Sequence, residues 1–395
     1  MKTKILFMVI NMNVGGTEKA LLNLISELPQ ENFDVTILML EKYGGFLDLI
    51  PSHVNIEKVD GYIDIQNMYN NPPKLSAIRF IKKGKLLKAF NILFFHLFSK
   101  IFKDRKPFLK YILKDFSINS NNYDIAVAYA GPMDLITYFV LNKIVAKQKV
   151  QWIHFDVTKI GFNKTTESKM YNMFDKIFVV SNDGRKKLVN IIPSIDKKTE
   201  VFSNITSPEL IDKQSKEGKG YTDSFDGLRI LTVGRLTNEK GQDIAIKALS
   251  MLIKDGYKVR WYCLGEGSSR MKYEKLVEEY NLQDQFIFLG IDPNPYPYIT
   301  QCDIYVQPSR HEGYCITLAE ARCLKKPIVT TDTSGAKEQI KNGETGLIVG
   351  ANEFELYNAV GKLINDQNLR NNFTQNLEKE YFNTVDMNKL RKLII

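Results

Sequence analysis

Short apolar runs, each the length of one buried strand, alternate with longer stretches of helical period along nearly the whole chain. Strands that are apolar at every position must be covered on both faces, and the segments between them are long enough to supply covering helices. Candidate strands run over 5–10, 35–40, 125–129, 150–153 and 177–180, then 230–233, 259–264, 286–289, 304–306, 328–330 and 347–349. They fall into two sets, which predicts two separate α/β sheets. The 395 residues also suit two domains of roughly 200 each. Lys213 to Gly227 is polar, with Gly218 and Gly220 inside it, and a fresh strand-turn-helix begins at Leu228, so the hinge is placed near residues 203–208. The expected domains are 1–205 and 206–380, with a tail over 381–395 packing back on the first domain.

Fifty-four Lys and Arg against 45 Asp and Glu give a net charge of +9, which favours an anionic partner without choosing among nucleic acid, phosphorylated substrate and acidic membrane. The four cysteines, Cys263, Cys302, Cys315 and Cys323, form no CxxC pair, which argues against a zinc site and against a disulfide-stapled secreted domain. A reducing cytoplasm fits best. The apolar run near Met1 stops at Asn11 without a small-residue cleavage site and reads as a first strand, not a signal peptide. No run approaches the ~18 apolar residues of a membrane span, so any membrane contact is expected to be peripheral.

Between Arg79 and Lys114 stand eleven Lys or Arg and one acidic residue, Asp104, interleaved with seven phenylalanines. A basic, aromatic helix of this kind can lie on an anionic bilayer, rings buried and cations at the phosphates. An amphipathic core helix with a solvated outer face reads the same way, and a nucleic-acid groove is a weaker third reading because no module surrounds it.

Three turns carry chemistry. Gly15-Gly16 lies between the first strand and a helix, where backbone N–H groups can face an anion, although a tight turn without a ligand would look alike. It matches neither G-x-G-x-x-G nor the Walker pattern, which disfavours nicotinamide and P-loop sites. After the strand 230–233 come Gly234, Arg235, Lys240 and Gly241: a sharp exit at Gly234, then two cations where a diphosphate would sit. The strand 304–306 leads into Glu312-Gly313-Tyr314-Cys315-Ile316, followed by Glu320 in the first turns of a helix. The amides of Tyr314, Cys315 and Ile316 can hold phosphate oxygens while carboxylates accept from sugar hydroxyls, although Glu320 could equally compensate the helix dipole.

In their order and spacing these residues resemble the GT-B fold, retaining glycosyltransferases of glycosyltransferase family 4, of the bacterial surface-polysaccharide type. The resemblance rests on Gly15-Gly16-Thr17-Glu18, Gly234-Arg235-Leu236 with Lys240-Gly241, Gly265-Glu266-Gly267, Glu312-x7-Glu320, 327–332 and 343–349. It implies two Rossmann-like domains facing across a cleft, the acceptor bound mainly by the first and a nucleotide-sugar, most commonly a UDP-sugar, by the second. In that family the equivalents of Arg235 and Lys240 hold the diphosphate, Glu320 the ribose and Glu312 the donor sugar, while Gly16 approaches the phosphates. His154, beyond a first-domain strand, would face the donor sugar or would simply be a structural histidine. The family often reads Glu-Gly-Phe-Pro where this chain has Glu312-Gly313-Tyr314-Cys315, a departure the backbone conformation is expected to survive.

No Asp-x-Asp pair occurs in the chain, so no metal or other cofactor is expected and the cations would serve instead. The resemblance thus implies a retaining hexosyltransferase, and the missing pair a metal-independent one. It would act in the cytoplasm, peripherally on the inner face of the plasma membrane where the basic stretch docks, on a glycan or lipid-linked acceptor and not on nucleic acid. The rival is a non-catalytic anion- or nucleic-acid-binding protein.

Overall fold

The first strand, β1 (Thr3–Val9), is buried at every residue from Ile5 on, as a strand sandwiched between helical layers must be. The computed structural model describes residues 2–116, 119–159 and 161–380; the tail over 381–395 lies outside them. Beside β1 stand β2 (Phe33–Met39), β3 (Asn55–Lys58), β4 (Asn119–Gly131), β5 (Ile144–Ile153), β6 (Lys176–Val179) and β7 (Thr199–Val201). All pair in parallel, in the order β3-β2-β1-β4-β5-β6-β7. The second sheet contains β8 (Leu228–Val233), β9 (Val259–Leu264), β10 (Phe286–Gly290), β11 (Ile304–Gln307), β12 (Ile328–Thr331) and β13 (Leu347–Val349). It too is wholly parallel, in the order β10-β9-β8-β11-β12-β13. Both are doubly wound, Rossmann-like sheets, as the apolar alternation predicts.

The sheets belong to two units. One contains the residues up to Asn13 and Ile25–Ser203; the other contains Val14–Leu24 and the described residues from Asn204 on. The amino-terminal part of the helix Gly16–Ser26 therefore groups with the second sheet.

In the second unit successive strand residues feed two apolar layers, one on each face. Ile230, Trp261, Cys263 and Val306 enter the first, whereas Leu231, Tyr262, Leu264 and Tyr305 enter the second. The register Ile304↔Ile230 and Tyr305↔Leu231 keeps the layers aligned across the β8–β11 pair. Trp261 is fully buried, so truncating it to Ala would cost about 3–5 kcal/mol. Between β8 and β11 the winding reverses: the chain runs outward through β9 and β10, then returns to the other side of β8. In sheets of this kind ligands bind beyond the carboxyl ends of the strands at that reversal.

Candidate functional site

The loops that leave β8 and β11 at this reversal contain Gly234, Arg235 and Lys240 on one side and Ser309 to Ile316 on the other. Backbone packing without intervening side chains shapes the first loop. Gly241 has φ +70°, and a Cβ there would lie 2.0 Å from the Pro308 carbonyl oxygen; one at Gly265 would lie 2.1 Å from the Gly234 oxygen, and one at Gly267 2.4 Å from the Leu236 oxygen. Gly234 itself has room, with the aliphatic part of Lys240 at 3.7 Å. Close backbone approach thus demands glycine at Gly241, Gly265 and Gly267, whereas a side chain would fit at Gly234.

Arg310 joins the two loops. Its guanidinium donates two parallel hydrogen bonds to Asp243, at 2.8 and 2.6 Å, and a third to the Asn238 carbonyl, while its backbone N–H donates to the Glu239 carbonyl. Gln242 donates to the Arg235 carbonyl and Tyr273 to that of Thr237, so the loop is anchored from both sides.

The structure brings Lys240 and Glu312 into contact. Nζ lies 2.7 Å from Oε1, with the side chains 21% and 8% exposed. Burial pulls the Lys240 ammonium down, but the charge of Glu312, aided by Cys315, outweighs it, and the net shift is upward. The same carboxylate oxygen accepts from Ser309 Oγ at 2.6 Å and from Gln307 Nε2 at 3.4 Å. Behind it, the Tyr305 and Thr317 hydroxyls donate to Gln307 Oε1. A buried polar network thus fixes one oxygen of Glu312. Arg235 is exposed, and its charge acts on Lys240. The Glu239 carboxyl is lowered by the Thr237 hydroxyl, then by its own backbone N–H, with Arg235 and Lys240 adding their charge.

Glu320 is buried in the helix Ile316–Cys323 and accepts from the Tyr296 hydroxyl at 2.9 Å. Burial raises its carboxyl pKa against the pull of Lys19 and of Tyr296. Lys19 is itself buried, 5.1 Å over the Tyr296 ring, and burial lowers its ammonium pKa against the charge of Glu320. A carboxylate paired in this way is more than a dipole-compensating surface residue. Gly15 and Gly16 lie at the start of the helix that carries Lys19, where a Cβ on Gly16 would touch Ile316 at 3.5 Å.

Just before the Glu320 helix, the backbone N–H groups of Tyr314, Cys315 and Ile316 enter no backbone hydrogen bond among the described residues. Cys315 has φ +64°. A proline, held near about −65°, cannot adopt that conformation. The expectation that this loop keeps a proline-compatible backbone is therefore corrected. Gly313 and Tyr314 precede it; the Tyr314 carbonyl accepts from Gln339, and a Cβ on Gly335 would lie 2.4 Å from its oxygen. Burial pushes the Cys315, Cys263 and Cys302 thiols up to about 12 and Cys323 to about 11.

His154 follows β5 in the first unit. It is 6% exposed, its ring centroid lies 4.5 Å from that of Tyr129, and its Nε2 has no hydrogen-bond partner among the described residues. Burial drives its pKa down to about 3, against a hydrogen bond to the Tyr129 backbone, so it is neutral at physiological pH.

Gln307, Ser309, Arg310, Tyr296 and Lys19 are absent from the sequence reading of the site. One signal was available: Gln307 closes an otherwise apolar strand, Ile-Tyr-Val-Gln, and a buried amide there must find partners.

Residues 223–380 match the family of Glycosyl transferases group 1. The chain is 31% identical over 210 residues to the N-acetylgalactosamine-N,N'-diacetylbacillosaminyl-diphospho-undecaprenol 4-alpha-N-acetylgalactosaminyltransferase of Campylobacter jejuni, a match covering 53% of this chain and 56% of that one. It is 26% identical over 308 residues to the capsular polysaccharide biosynthesis glycosyltransferase CapM of Staphylococcus aureus, covering 72% and 77%. With Protein CapJ of Staphylococcus aureus the match covers 51% of each chain, so it spans about half the length of several of these relatives. Among solved structures, Anabaena HepE in complex with UDP-glucose superimposes with a TM-score of 0.70 at 17% identity, covering 99% of both chains. TarM does so with a TM-score of 0.67 at 16% identity, covering 100% and 98%. The fold is the two-domain GT-B architecture. The comparisons lend no support to a non-catalytic nucleic-acid-binding protein.

Proposed function

We propose that the protein is a retaining, metal-independent glycosyltransferase that moves a sugar from a nucleotide-sugar, a UDP-sugar by preference, to a glycan or lipid-linked acceptor in cell-surface polysaccharide synthesis on the cytoplasmic side of the membrane. The observation that carries this reading is the Lys240–Glu312 pair at the winding reversal, inside a glycosyl transferases group 1 domain. The Campylobacter relative's diphospho-undecaprenol substrate and the UDP-glucose bound by HepE support the acceptor and donor classes.

Departure of a nucleoside diphosphate builds negative charge on its phosphates. Lys240 and Arg235 stabilise that charge, each by about 3–4 kcal/mol, a typical value for a pre-placed donor in a water-poor site. The free N–H groups of Tyr314, Cys315 and Ile316, with Gly313 and Gly234 leaving room, receive phosphate oxygens. Glu320 accepts from the ribose hydroxyls, and Lys19 and Tyr296 hold its carboxylate in place. Glu312 faces the donor sugar. With Oε1 already taking Lys240, Ser309 and Gln307, it is a poor free nucleophile, which suits front-face attack with the leaving phosphate as the base. In the first unit, Tyr129 holds the neutral His154, leaving the Nε2 lone pair to accept a sugar hydroxyl. Gly15 and Gly16 let the chain approach the phosphates.

The test is donor turnover with UDP-sugars, with and without excess EDTA, and product anomer assignment by NMR. Transfer that survives EDTA and gives the donor's anomer supports the reading. Absence of UDP binding, a requirement for added manganese or magnesium, or an inverted product would each refute the corresponding part.

A further inference from the structure

We propose that the helices Pro73–Lys82 and Leu86–Phe102 form a platform that docks the first unit flat on an anionic lipid bilayer, with apolar side chains among the acyl chains and lysines at the head groups. This goes beyond the transfer reaction, since it concerns a surface that no step of that reaction uses.

The helix Leu86–Phe102 is apolar on two sides. Ala89 and Ile92 are buried, and Phe95 packs inward with its ring centroid 5.0 Å from that of Tyr111. The other side repeats the pattern outward: Leu86, Phe90, Leu93, Leu97 and Ile101 follow one another at helical spacing, each exposed, with Phe90 at 65% and Ile101 at 64%. Leu87 beside them is 80% exposed. The preceding helix, packed alongside, adds Leu75, Ile78 and Ile81. Eleven of the twenty-one exposed large apolar side chains among the described residues therefore lie within residues 75–102. Their exposed area is on the order of 1,000 Å², above the ~300–600 Å² of the largest patch on an ordinary soluble surface.

Charge decides what covers this face. Lys82, Lys83 and Lys85 stand exposed at the turn around Gly84, which has φ +70°, with Arg79 and Lys88 beside them; Lys100 and Lys103 lie at the far end. Of these, Lys88 faces Asp115 at 3.8 Å. A two-fold contact with a second copy would set these cations against their own images. An anionic bilayer meets both features at once, accepting the apolar stripe and pairing the lysines. The 17-residue helix spans about 25 Å, short of the ~30 Å hydrocarbon core, and no helix among the described residues is long and apolar enough to cross a membrane. The helix therefore lies along the surface.

The test is co-sedimentation of the full chain with vesicles of phosphatidylcholine alone and of phosphatidylcholine mixed with phosphatidylglycerol. Binding is expected on the mixed vesicles and should weaken as salt rises. Replacing Lys82, Lys83, Lys85 and Lys88 together with Gln should lower partitioning about 100-fold or more. Leu87→Ser with Phe90→Ser should lower it by a similar factor, about 100-fold, without changing the salt slope. All six side chains belong to the first unit and the Lys240–Glu312 cluster to the second, so UDP thermal shift checks that the variants are folded. Wild-type protein that stays in the supernatant overturns the proposal, as does equal partitioning of wild type and the lysine variant. A dimer in sedimentation velocity that the Leu87/Phe90 variant abolishes, without vesicle binding by the wild type, would assign the face to a second copy instead. Because no donor is present, neither result bears on the transfer reaction.

Discussion

Glu312→Ala, Lys240→Met and the double substitution test whether the cation and carboxylate act as one unit. Removing Glu312 leaves an ammonium that is four-fifths covered with no anion against it. Breaking a buried pair from one side costs about 3–5 kcal/mol, and the fifth of Lys240 still open to water reduces this to about 2–3 kcal/mol. In a unit of this size that lowers the melting temperature by about 5–10 °C. Lys240→Met should cost less, about 1–2 kcal/mol, because Glu312 keeps Ser309 and Gln307 as donors. The double variant should recover most of the loss, giving a coupling of about 1.5–3 kcal/mol in thermal or urea unfolding. The Lys240 pKa is raised above its unfolded value of 10.5, so this stabilisation is complete below about pH 10.5 and is lost as pH rises through the folded value. The Glu312 variant should lack that alkaline loss. Turnover should fall in both single variants, yet UDP affinity should not fall in Glu312→Ala, because the freed ammonium then faces the diphosphate alone. Additive stabilities in the cycle, or UDP binding that collapses on Glu312→Ala, would refute the argument.

Arg235→Ala should lower kcat/KM at least about 100-fold while leaving the melting temperature unchanged, since the side chain is exposed; steady-state kinetics and calorimetry check both halves. Glu320→Ala should weaken UDP binding by about 10-fold or more in isothermal titration, and Tyr296→Phe by less, because it removes one donor and keeps the ring under Lys19. In the first unit, burial foremost, with the charge of Asp134 adding to it, pushes Glu167 up to about 8. The native carboxyl holds its proton while the unfolded chain releases it above about pH 4.5, so stability falls from there to pH 8 and Glu167→Gln should remove that fall in urea unfolding across pH. His154→Phe should do the reverse on the acid side, removing the loss of stability between pH 6.5 and about 3 that comes from a histidine protonated only when unfolded.

Most strands are legible in the sequence because burial on both faces writes them as unbroken apolar runs. The two that are not, β3 and β7, are the edges of the first sheet; Asn-Ile-Glu-Lys is half solvated and Thr-Glu-Val is three residues long. The candidate site divides similarly. Each loop can be found at the end of its own strand, but the contact between Lys240 and Glu312 depends on β8 and β11 being neighbours, which no spacing along the chain reveals. Arg310 is hidden for the same reason, since its meaning lies in Asp243 on the other loop. Lys19 reads as an ordinary amphipathic lysine until the helix that carries it is seen to group with the second unit. His154 is found in its predicted place after β5, but its neutrality follows from burial among aromatic rings, and those rings come from separate strands.

The four buried or half-buried thiols have a practical consequence for labelling. An ordinary exposed cysteine titrates near 8.5, so at neutral pH its thiolate fraction exceeds that of Cys323, the most acidic of the native four at about 11, by about 300-fold. Alkylation follows the thiolate. A single cysteine introduced at exposed Lys83 should therefore take a maleimide dye selectively without first deleting the native four. A fluorophore there would sit at the turn between the two docking helices, and its emission would report whether that corner enters lipid.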